Sequence, residues 1–397
     1  MLKGKTVVLG VSGSIAAYKI ASLASALVKL HADVHVIMTQ NATNFINPIT
    51  FETLTSNKCL VDTFDRNFQF NVEHVSLAKK ADVFLVAPAS ANVIGKIANG
   101  IADDMLTTTI MACKCPKLIS PAMNTNMFEN PIVQDNLKKL EDYGYEIINP
   151  ACGYLACGDT GAGKMPEPET LLSYILREIA LEKDMRGVKV LVTAGPTQES
   201  LDPVRFITNH STGKMGYAIA RAAAMRGAQV TLLSGPVSLE APHGVTLVPF
   251  TTTQDLLERA LEHAADHDIL IQSAAPADYR AEEIAAQKIK KNHGEDFILR
   301  LVENPDVAAT LGKMKRKDQV FVGFAAETND VLEHAKGKLV KKNLDMIVAN
   351  DVTKPGAGFD VDTNIVTLIT EKETISLPML SKDDVADHIL THAMQIR

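Results

Sequence analysis

Hydrophobic residues in this chain gather in short continuous runs, and helix-period stretches separate most of them. The first run, 5–11 (KTVVLGV), leads through Ser12, Gly13 and Ser14 into IAAYKIASLASALVKL, whose apolar positions recur every three or four residues. Comparable runs follow at 33–39 (DVHVIMT), 82–90 (DVFLVAPAS), 117–123 (KLISPAM) and 145–150 (YEIINP). At 188–194 (VKVLVTA) the same opening recurs, followed by Gly195-Pro196-Thr197. Further runs lie at 228–234, 244–250, 268–275, 319–326, 345–351 and 364–370. A continuous apolar run entering a Gly-containing turn and then a helix is the usual opening of a doubly wound α/β domain. Strands alternating with helices predict a largely parallel sheet with helices on both faces. The pattern therefore predicts an α/β protein of two doubly wound, Rossmann-like domains, 1–185 and 186–397. A helix and connector within 165–187 join them. No heptad repeat or low-complexity tract is present.

Bulk properties narrow the function. The 397 residues fit two domains, and 46% apolar with 22% charged residues is ordinary globular composition. A net charge of −7 has the wrong sign for a phosphate backbone, which predicts no nucleic-acid partner. A local basic cluster still suffices for small anions. No window nears the roughly 18 apolar residues of a membrane span. The opening MLKGKTVVLGVSGS breaks its apolar run too early for a signal-peptide core. Five scattered cysteines (Cys59, Cys113, Cys115, Cys152, Cys157) predict free thiols in a cytoplasmic protein. No second well-spaced pair with His completes a zinc set around them.

Ligands of open α/β sheets bind beyond the carboxyl ends of the strands. In the first half those positions are Ser12, Gly13 and Ser14; Thr39; Pro88, Ala89, Ser90, Ala91 and Asn92; and Pro121, Ala122, Met123 and Asn124. Small and hydroxyl residues there let backbone amides approach a phosphate at a helix start. Strand ends in many α/β proteins share that composition. GVSGSIAA departs from G-x-G-x-x-G, and VIMTQNAT ends the second strand without an acid for a second ribose. NAD is thereby disfavoured, and a mononucleotide such as FMN fits better. GDTGAGK (158–164) has P-loop spacing but continues with Met165 instead of Ser or Thr, and Pro166 and Pro168 follow. It reads as a flexible Gly-rich flap over the ligand.

Four strings, GSIAAYK (13–19), PASANVIGKIANGIADD (88–104), SPAMN (120–124) and ACGDTGAGKM (156–165), are joined by His74 in NVEHVSLAKKAD. Together they resemble the flavin-dependent cysteine decarboxylases over about the first 180 residues. The resemblance implies a flavodoxin-like domain with FMN at Gly13, Ser14, Thr39, Ser90 and Asn92. It also implies that Cys157 is the proton donor, His74 stands near the thiol and flavin, and Asn124 holds the substrate carboxylate. A neutral amide orients that group without a salt bridge to the charge about to be lost. Each residue also has a plainer role: His74 within a helix, Cys157 as a buried thiol, Asn124 as cap of the helix before Pro131. Lys164 stands where relatives also carry Arg, which would clamp a phosphate with two donors.

In the second half the candidate segments are TAGPTQE (193–199), TNHSTGKMG (208–216), SAAPADYR (273–280), KIKK (288–291), NPDV (304–307), GFAAET (323–328), KLVKKN (338–343) and VAND (348–351). Ser211, Thr212 and Gly213 precede a clean helix, an anion-binding start with Lys214 beside it. A solvated face would explain the lysines of KLVKK equally well. DPVRFITNHSTGKMG, SAAPADYR, KIKK, NPD and GFAAET together resemble phosphopantothenate–cysteine ligases from about 188 onward. The two families catalyse consecutive steps of coenzyme A synthesis, so the joint resemblance implies a bifunctional enzyme whose C-terminal half acts first. It implies that CTP activates the carboxylate of 4′-phosphopantothenate, the amine of L-cysteine displaces CMP, and decarboxylation follows on FMN. Lys288 would neutralise triphosphate charge, with Lys338 and Lys342 nearby. Asp278 would contact the nucleotide or a Mg2+ (or Mn2+) ion. Phe324 and the segment Pro305, Asp306, Val307 and Ala308 would frame the base, with Ala274 also in the CTP site. Asn209 would position the activated carbonyl. No residue by itself chooses CTP over ATP. Trimeric decarboxylase and dimeric ligase contacts are implied as well, which would build a homo-oligomeric dodecamer. The competing readings are a flavin-binding regulatory protein of the same fold without turnover and an NAD(P)-dependent oxidoreductase.

Overall fold

Strands β1 (Thr6–Val11) and β3 (Val83–Ala89) are buried at every residue. A strand covered on both faces has no polar side to show, so each reads as an unbroken apolar run. The structure is a computed structural model that describes residues 2–64, 73–154, 158, 160–290, 296–327, 331–351, 358 and 361–397. The chain divides into two units, Met1–Glu182 and Lys183–Arg397.

In the first unit β1 and β3 join β2 (Asp33–Met38), β4 (Lys117–Pro121) and β5 (Glu146–Ile147) in a parallel sheet of order β2-β1-β3-β4-β5. This is the flavodoxin-like order. Winding reverses between β1 and β3, which opens a crevice at their carboxyl ends. Alternate residues of β1 serve opposite faces. Val7, Leu9 and Val11 pack with helices Tyr18–Lys29 and Pro168–Ile179. Val8 packs with helices Ala91–Ala98, Met105–Ala112 and Pro131–Asp142. Strands β6 (Ala151–Tyr154) and β7 (Thr160–Lys164) form an antiparallel hairpin. GDTGAGK thus ends in a strand, and not in the loop-to-helix passage a P-loop requires.

The sheet of the second unit contains β8 (Lys189–Ala194), β11 (Gln229–Ser234), β12 (Val245–Pro249), β13 (Ile269–Gln272), β16 (Val320–Glu327), β17 (Met346–Asp351), β19 (Val366–Thr370) and β20 (Thr374–Ser376). Their order is β12-β11-β8-β13-β16-β17-β19-β20. The first six are parallel in the Rossmann order, with the reversal between β8 and β13. β19 and β20 run antiparallel at one edge, because an apolar run such as NIVTLIT carries no information on strand direction. Helices Lys214–Met225 and Lys382–Ile396 cover one face. Helices Thr253–Ala264, Val307–Met314 and Val331–Lys341 cover the other. Three ribbons were not predicted: β9 (Gln198–Ser200) with β10 (Phe206–Thr208), β14 (Tyr279–Ala281) with β15 (Leu301–Glu303), and β18 (Thr363–Asn364) with β21 (Leu380–Ser381). Strands of two or three part-exposed residues leave no apolar run to read. Among the described residues no helix is long and apolar enough to cross a membrane.

Candidate functional sites

In the first unit the carboxyl ends of β1 and β3 are tied together. Ser12 Oγ donates to Pro88 O (2.7 Å) and accepts from the Ser90 N–H (2.9 Å). Ser14, Thr39 and Ser90 each cap the helical turn that follows, accepting from the N–H groups of Ala16, Ala42 and Val93. Three neighbouring strand ends therefore carry hydroxyl caps at helix starts, the setting in which backbone amides meet an anion. Beside them lies a cavity of about 560 Å3, lined by Ser14, Ile15, Ala16, Tyr18, Lys19, Ala122, Met123, Asn124, Tyr154, Gly163, Lys164 and Met165. Ile15, Met123 and Met165 give it apolar walls, and Lys19 and Lys164 supply cations. Both lysines pair with Glu167, at 2.8 and 3.7 Å, and the Lys19 ammonium holds that carboxyl below its ordinary range.

Hairpin β6–β7 sits on the loop that carries Asn124. Met123 N–H donates to Gly163 O at 3.1 Å. Gly163 has φ +130°, and a Cβ there would stand 2.3 Å from Met123 O. Only glycine permits both the conformation and the approach. Asn124 Oδ1 accepts from the Asn126 N–H at 2.9 Å and caps helix Thr125–Phe128. That short helix precedes Pro131, so Asn124 does take the capping role considered for it, and the next helix, from Pro131, is capped by Asn130.

Not every predicted residue meets in this cavity. Gly13, Thr39, Ser90 and Asn92 stand at the strand ends but outside its lining, and Asn92 is exposed. His74, on helix Glu73–Lys80, is not part of the lining either. Cys157 lies outside the described residues. Lys19 and Tyr154 line the cavity without a role predicted from sequence, because their reach depends on how helix and hairpin pack.

In the second unit the predicted nucleotide residues converge. Ala274, Asp278, Pro305, Asp306, Val307, Ala308, Phe324, Lys338 and Lys342 all line one cavity of about 160 Å3, together with Gln272, Asn304, Leu344 and Ile347. A neighbouring cavity of about 290 Å3 shares Ala274, Asp278, Phe324, Lys338 and Lys342 with it and extends to Ser211, Thr212, Gly213 and Lys214. Hydrogen bonds across the β8–β13 reversal hold the loops. Ser273 Oγ donates to Thr193 O (2.6 Å), Ala274 N–H to Thr193 Oγ1 (3.1 Å) and Ala277 N–H to Thr197 Oγ1 (2.9 Å). Asn304 braces the same loop, its Nδ2 donating to Ala277 O at 2.9 Å. Helix Lys214–Met225 starts close over the sheet, since a Cβ on Gly216 would stand 2.5 Å from Ala194 Cβ. Gly213 caps that helix without a side chain, so its first N–H groups take no side-chain cap. Asp306 caps helix Val307–Met314 and pairs with Lys342 at 3.0 Å. Burial would raise its carboxyl, but the Ala309 N–H and Lys342 outweigh burial and hold it below the ordinary range.

Asn209 Nδ2 donates to Ala275 O (3.1 Å) and Pro276 O (3.0 Å). It therefore braces the 275–276 loop directly, and its Oδ1 is the atom left to act on a ligand as an acceptor. Lys288 does not line either cavity and is exposed. Its neighbour Ile289 is clamped: the N–H donates to Asp202 Oδ2 (3.1 Å), and the carbonyl accepts from Arg205 Nη2 (2.7 Å). The buried Asp202 carboxylate also accepts from the N–H groups of Val204 and Arg205 and from Arg205 Nε. The Arg205 guanidinium, with those amides, holds it far below the usual carboxylate range. Nothing in the sequence pointed to this clamp, because Asp202 and Ile289 are brought together only by the fold. Among the described residues no group of three His, Cys, Asp or Glu side chains could hold a metal ion.

A family described as "Flavoprotein" matches residues 1–180, and one described as "DNA/pantothenate metabolism flavoprotein C-terminal domain" matches residues 185–396. The chain is 47% identical over 394 residues to the coenzyme A biosynthesis bifunctional protein CoaBC of Bacillus subtilis (strain 168), covering 98% of this chain and 97% of that protein. This chain belongs to the CoaBC family. Its relative in Vibrio cholerae (serotype O1, strain ATCC 39315 / El Tor Inaba N16961) is 45% identical over 390 residues, covering 98% of each. Its relative in Escherichia coli (strain K12) is 41% identical over 384 residues, covering 96% of this chain and 95% of that protein. The chain is thus a bifunctional enzyme of coenzyme A biosynthesis, a decarboxylase and a ligase, with a flavoprotein domain at its N-terminal end.

Proposed function

We propose that the second unit joins L-cysteine to 4′-phosphopantothenate with CTP, and that the first unit decarboxylates the resulting 4′-phosphopantothenoylcysteine with FMN. The observation that carries the ligase reading is the convergence of Asp278, Phe324, Lys338, Lys342 and the helix start at Asp306 on one cavity. The 4′-phosphopantothenate carboxylate attacks the α-phosphorus of CTP, and pyrophosphate leaves. The cysteine amine then attacks the acyl carbon, and CMP leaves. Lys338 and Lys342 neutralise charge on the phosphates as the bond to pyrophosphate breaks. The helix start at Ser211–Thr212–Gly213 offers its N–H groups to an anionic end of the substrate. Asp278 alone with triphosphate oxygens suits Mg2+, which keeps few protein ligands. Lys288 acts from the segment clamped by Asp202. Asn209 acts through its acceptor Oδ1, which suits an incoming amine better than a carbonyl oxygen.

For the first unit, the capped helix starts at Ser14, Thr39 and Ser90 suit a phosphate, and the apolar walls suit a flat ring system, so the residues fit FMN. When bound, FMN supplies the oxidation and its reversal that make loss of carbon dioxide possible. The net reaction is redox-neutral: the carboxylate leaves as carbon dioxide and a proton takes its place. Asn124 orients the carboxylate through its amide nitrogen, Cys157 supplies the proton, and Lys19 and Lys164 face the substrate phosphate. His74 lies off the cavity of its own protomer, which favours sites completed between copies of the chain, as trimeric decarboxylase contacts within a dodecamer would provide. The odd number and wide scatter of the five cysteines favour a cytoplasmic enzyme.

Pyrophosphate release from CTP by the full-length protein should require 4′-phosphopantothenate. Release at the same rate without that acid would reduce the ligase to a nucleotidase. Carbon dioxide should form from 4′-phosphopantothenoylcysteine only with FMN present. A folded, FMN-loaded protein that forms none would be a binding protein.

A further inference from the structure

Gln272 ends β13 and is only 7% exposed. In register it pairs with Thr193 of β8 on one side and Gly323 of β16 on the other. Its Oε1 is buried and accepts no hydrogen bond among the described residues, yet the residue lines the 160 Å3 cavity. Folded proteins rarely keep such an acceptor unpaired, and those that remain invite a ligand as the missing partner. The surroundings are apolar: Val307, Ala308, Phe324, Leu344 and Ile347 line the same space. An apolar slot with one amide inside suits a nucleobase, whose faces pack against side chains while one edge is read by hydrogen bonds.

The unpaired atom is an acceptor, so the edge it meets must carry a donor. The exocyclic amino group of cytosine or adenine is such a donor, whereas uracil presents a carbonyl at that position. The amide NH2 of glutamine can in turn donate to the ring nitrogen beside the amino group. We propose that Gln272 is a specificity-determining residue that accepts from the exocyclic amino group of the nucleotide base and so selects CTP or ATP over UTP. This rests on the reading that the cavity holds the nucleotide.

The test measures kcat/KM for CTP, ATP and UTP by pyrophosphate release from full-length enzyme with saturating 4′-phosphopantothenate and cysteine. The CTP and ATP arms identify which amino-bearing base the enzyme uses. Gln272→Met keeps length but loses the amide, and should lower the ratio of that nucleotide to UTP by about 10- to 100-fold. Gln272→Glu keeps the shape and should also lower the ratio, because the ring nitrogen of an amino-bearing base then meets a second acceptor while uracil offers an N–H. Decarboxylation by the same preparations reports on the other unit, and a thermal melt reports folding. Should the Met variant fail to fold, the Glu variant decides. A ratio unchanged within about threefold in the folded variants would overturn the proposal. Lys342→Ala separates the two levels. If it raises KM for all three nucleotides while Gln272→Met leaves the ratio alone, only the base-reading role fails. If it leaves KM unchanged, the nucleotide binds elsewhere and both readings fail.

Discussion

Replacing Gly163 by alanine tests whether seating hairpin β6–β7 on the Asn124 loop matters for decarboxylation. Two penalties follow from the geometry. At φ +130° an L-residue is strained by about 1–3 kcal/mol. The new Cβ would also stand 2.3 Å from Met123 O, a main-chain atom that no side-chain rotation can move. Forcing that contact costs roughly another 1–3 kcal/mol. Even the low end, about 2 kcal/mol, lowers the docking equilibrium of the hairpin about 30-fold at 1.4 kcal/mol per decade. Single-turnover decarboxylation of 4′-phosphopantothenoylcysteine by FMN-loaded protein should therefore slow at least about 10-fold. Pyrophosphate release from CTP by the same preparation should stay within about twofold, since Gly163 lies in the other unit. Gly161→Ala should be milder, because its Cβ would meet the Thr125 side chain, which can turn aside. Wild-type decarboxylation by a folded Gly163→Ala protein would show that hairpin seating plays no part in the reaction.

Asn209→Asp places a carboxylate against the carbonyls of Ala275 and Pro276, so the second ligation step should slow and acyl-cytidylate accumulate; quenched reactions with labelled CTP would reveal it, and normal product formation would remove the residue from that role. Asp202→Asn removes the charge that holds Arg205 and the Ile289 N–H, and should lower pyrophosphate release at least about 10-fold through looser placement of Lys288; a double variant with Lys288→Ala should be no slower than Lys288→Ala alone. Asp33 is held at about 2: burial would raise it, but Lys80, Asn57 and His35 outweigh burial. Its folded value lies below the unfolded value of about 3.9, so the stability it contributes is complete above that value and is lost as pH falls towards 2. The urea midpoint of Asp33→Asn should thus lie below wild type at pH 7, and the gap should narrow between pH 4 and pH 2; a gap constant with pH would mean the charge contributes nothing.

The strands could be read because burial on both faces forces residues such as those of 7–11, 83–89 and 190–192 to be apolar without interruption. The cavity of the second unit could be read too, since Asp306 caps one helix, Lys338 and Lys342 stand at the end of another and Phe324 lies in the carboxyl half of β16, where the winding of an α/β sheet gathers them. His74 and Lys288 are different. Their motifs were visible, but neither lines the cavity of its own unit. Short exposed ribbons such as β9–β10 leave no hydrophobic trace, and the antiparallel course of β19 is invisible in a pattern without direction.

The sequence by itself therefore determined two wound α/β units, their ligand-bearing ends and the family of their motifs, because those depend on local periodicity and on residue type at strand termini. Tertiary structure decided which side chains share a cavity. The contact of Gly163 with Met123, the grip of Asp202 on Ile289 and the unpaired oxygen of Gln272 each join residues distant in the chain or expose a missing partner. Such relations exist only once the backbone has closed around them.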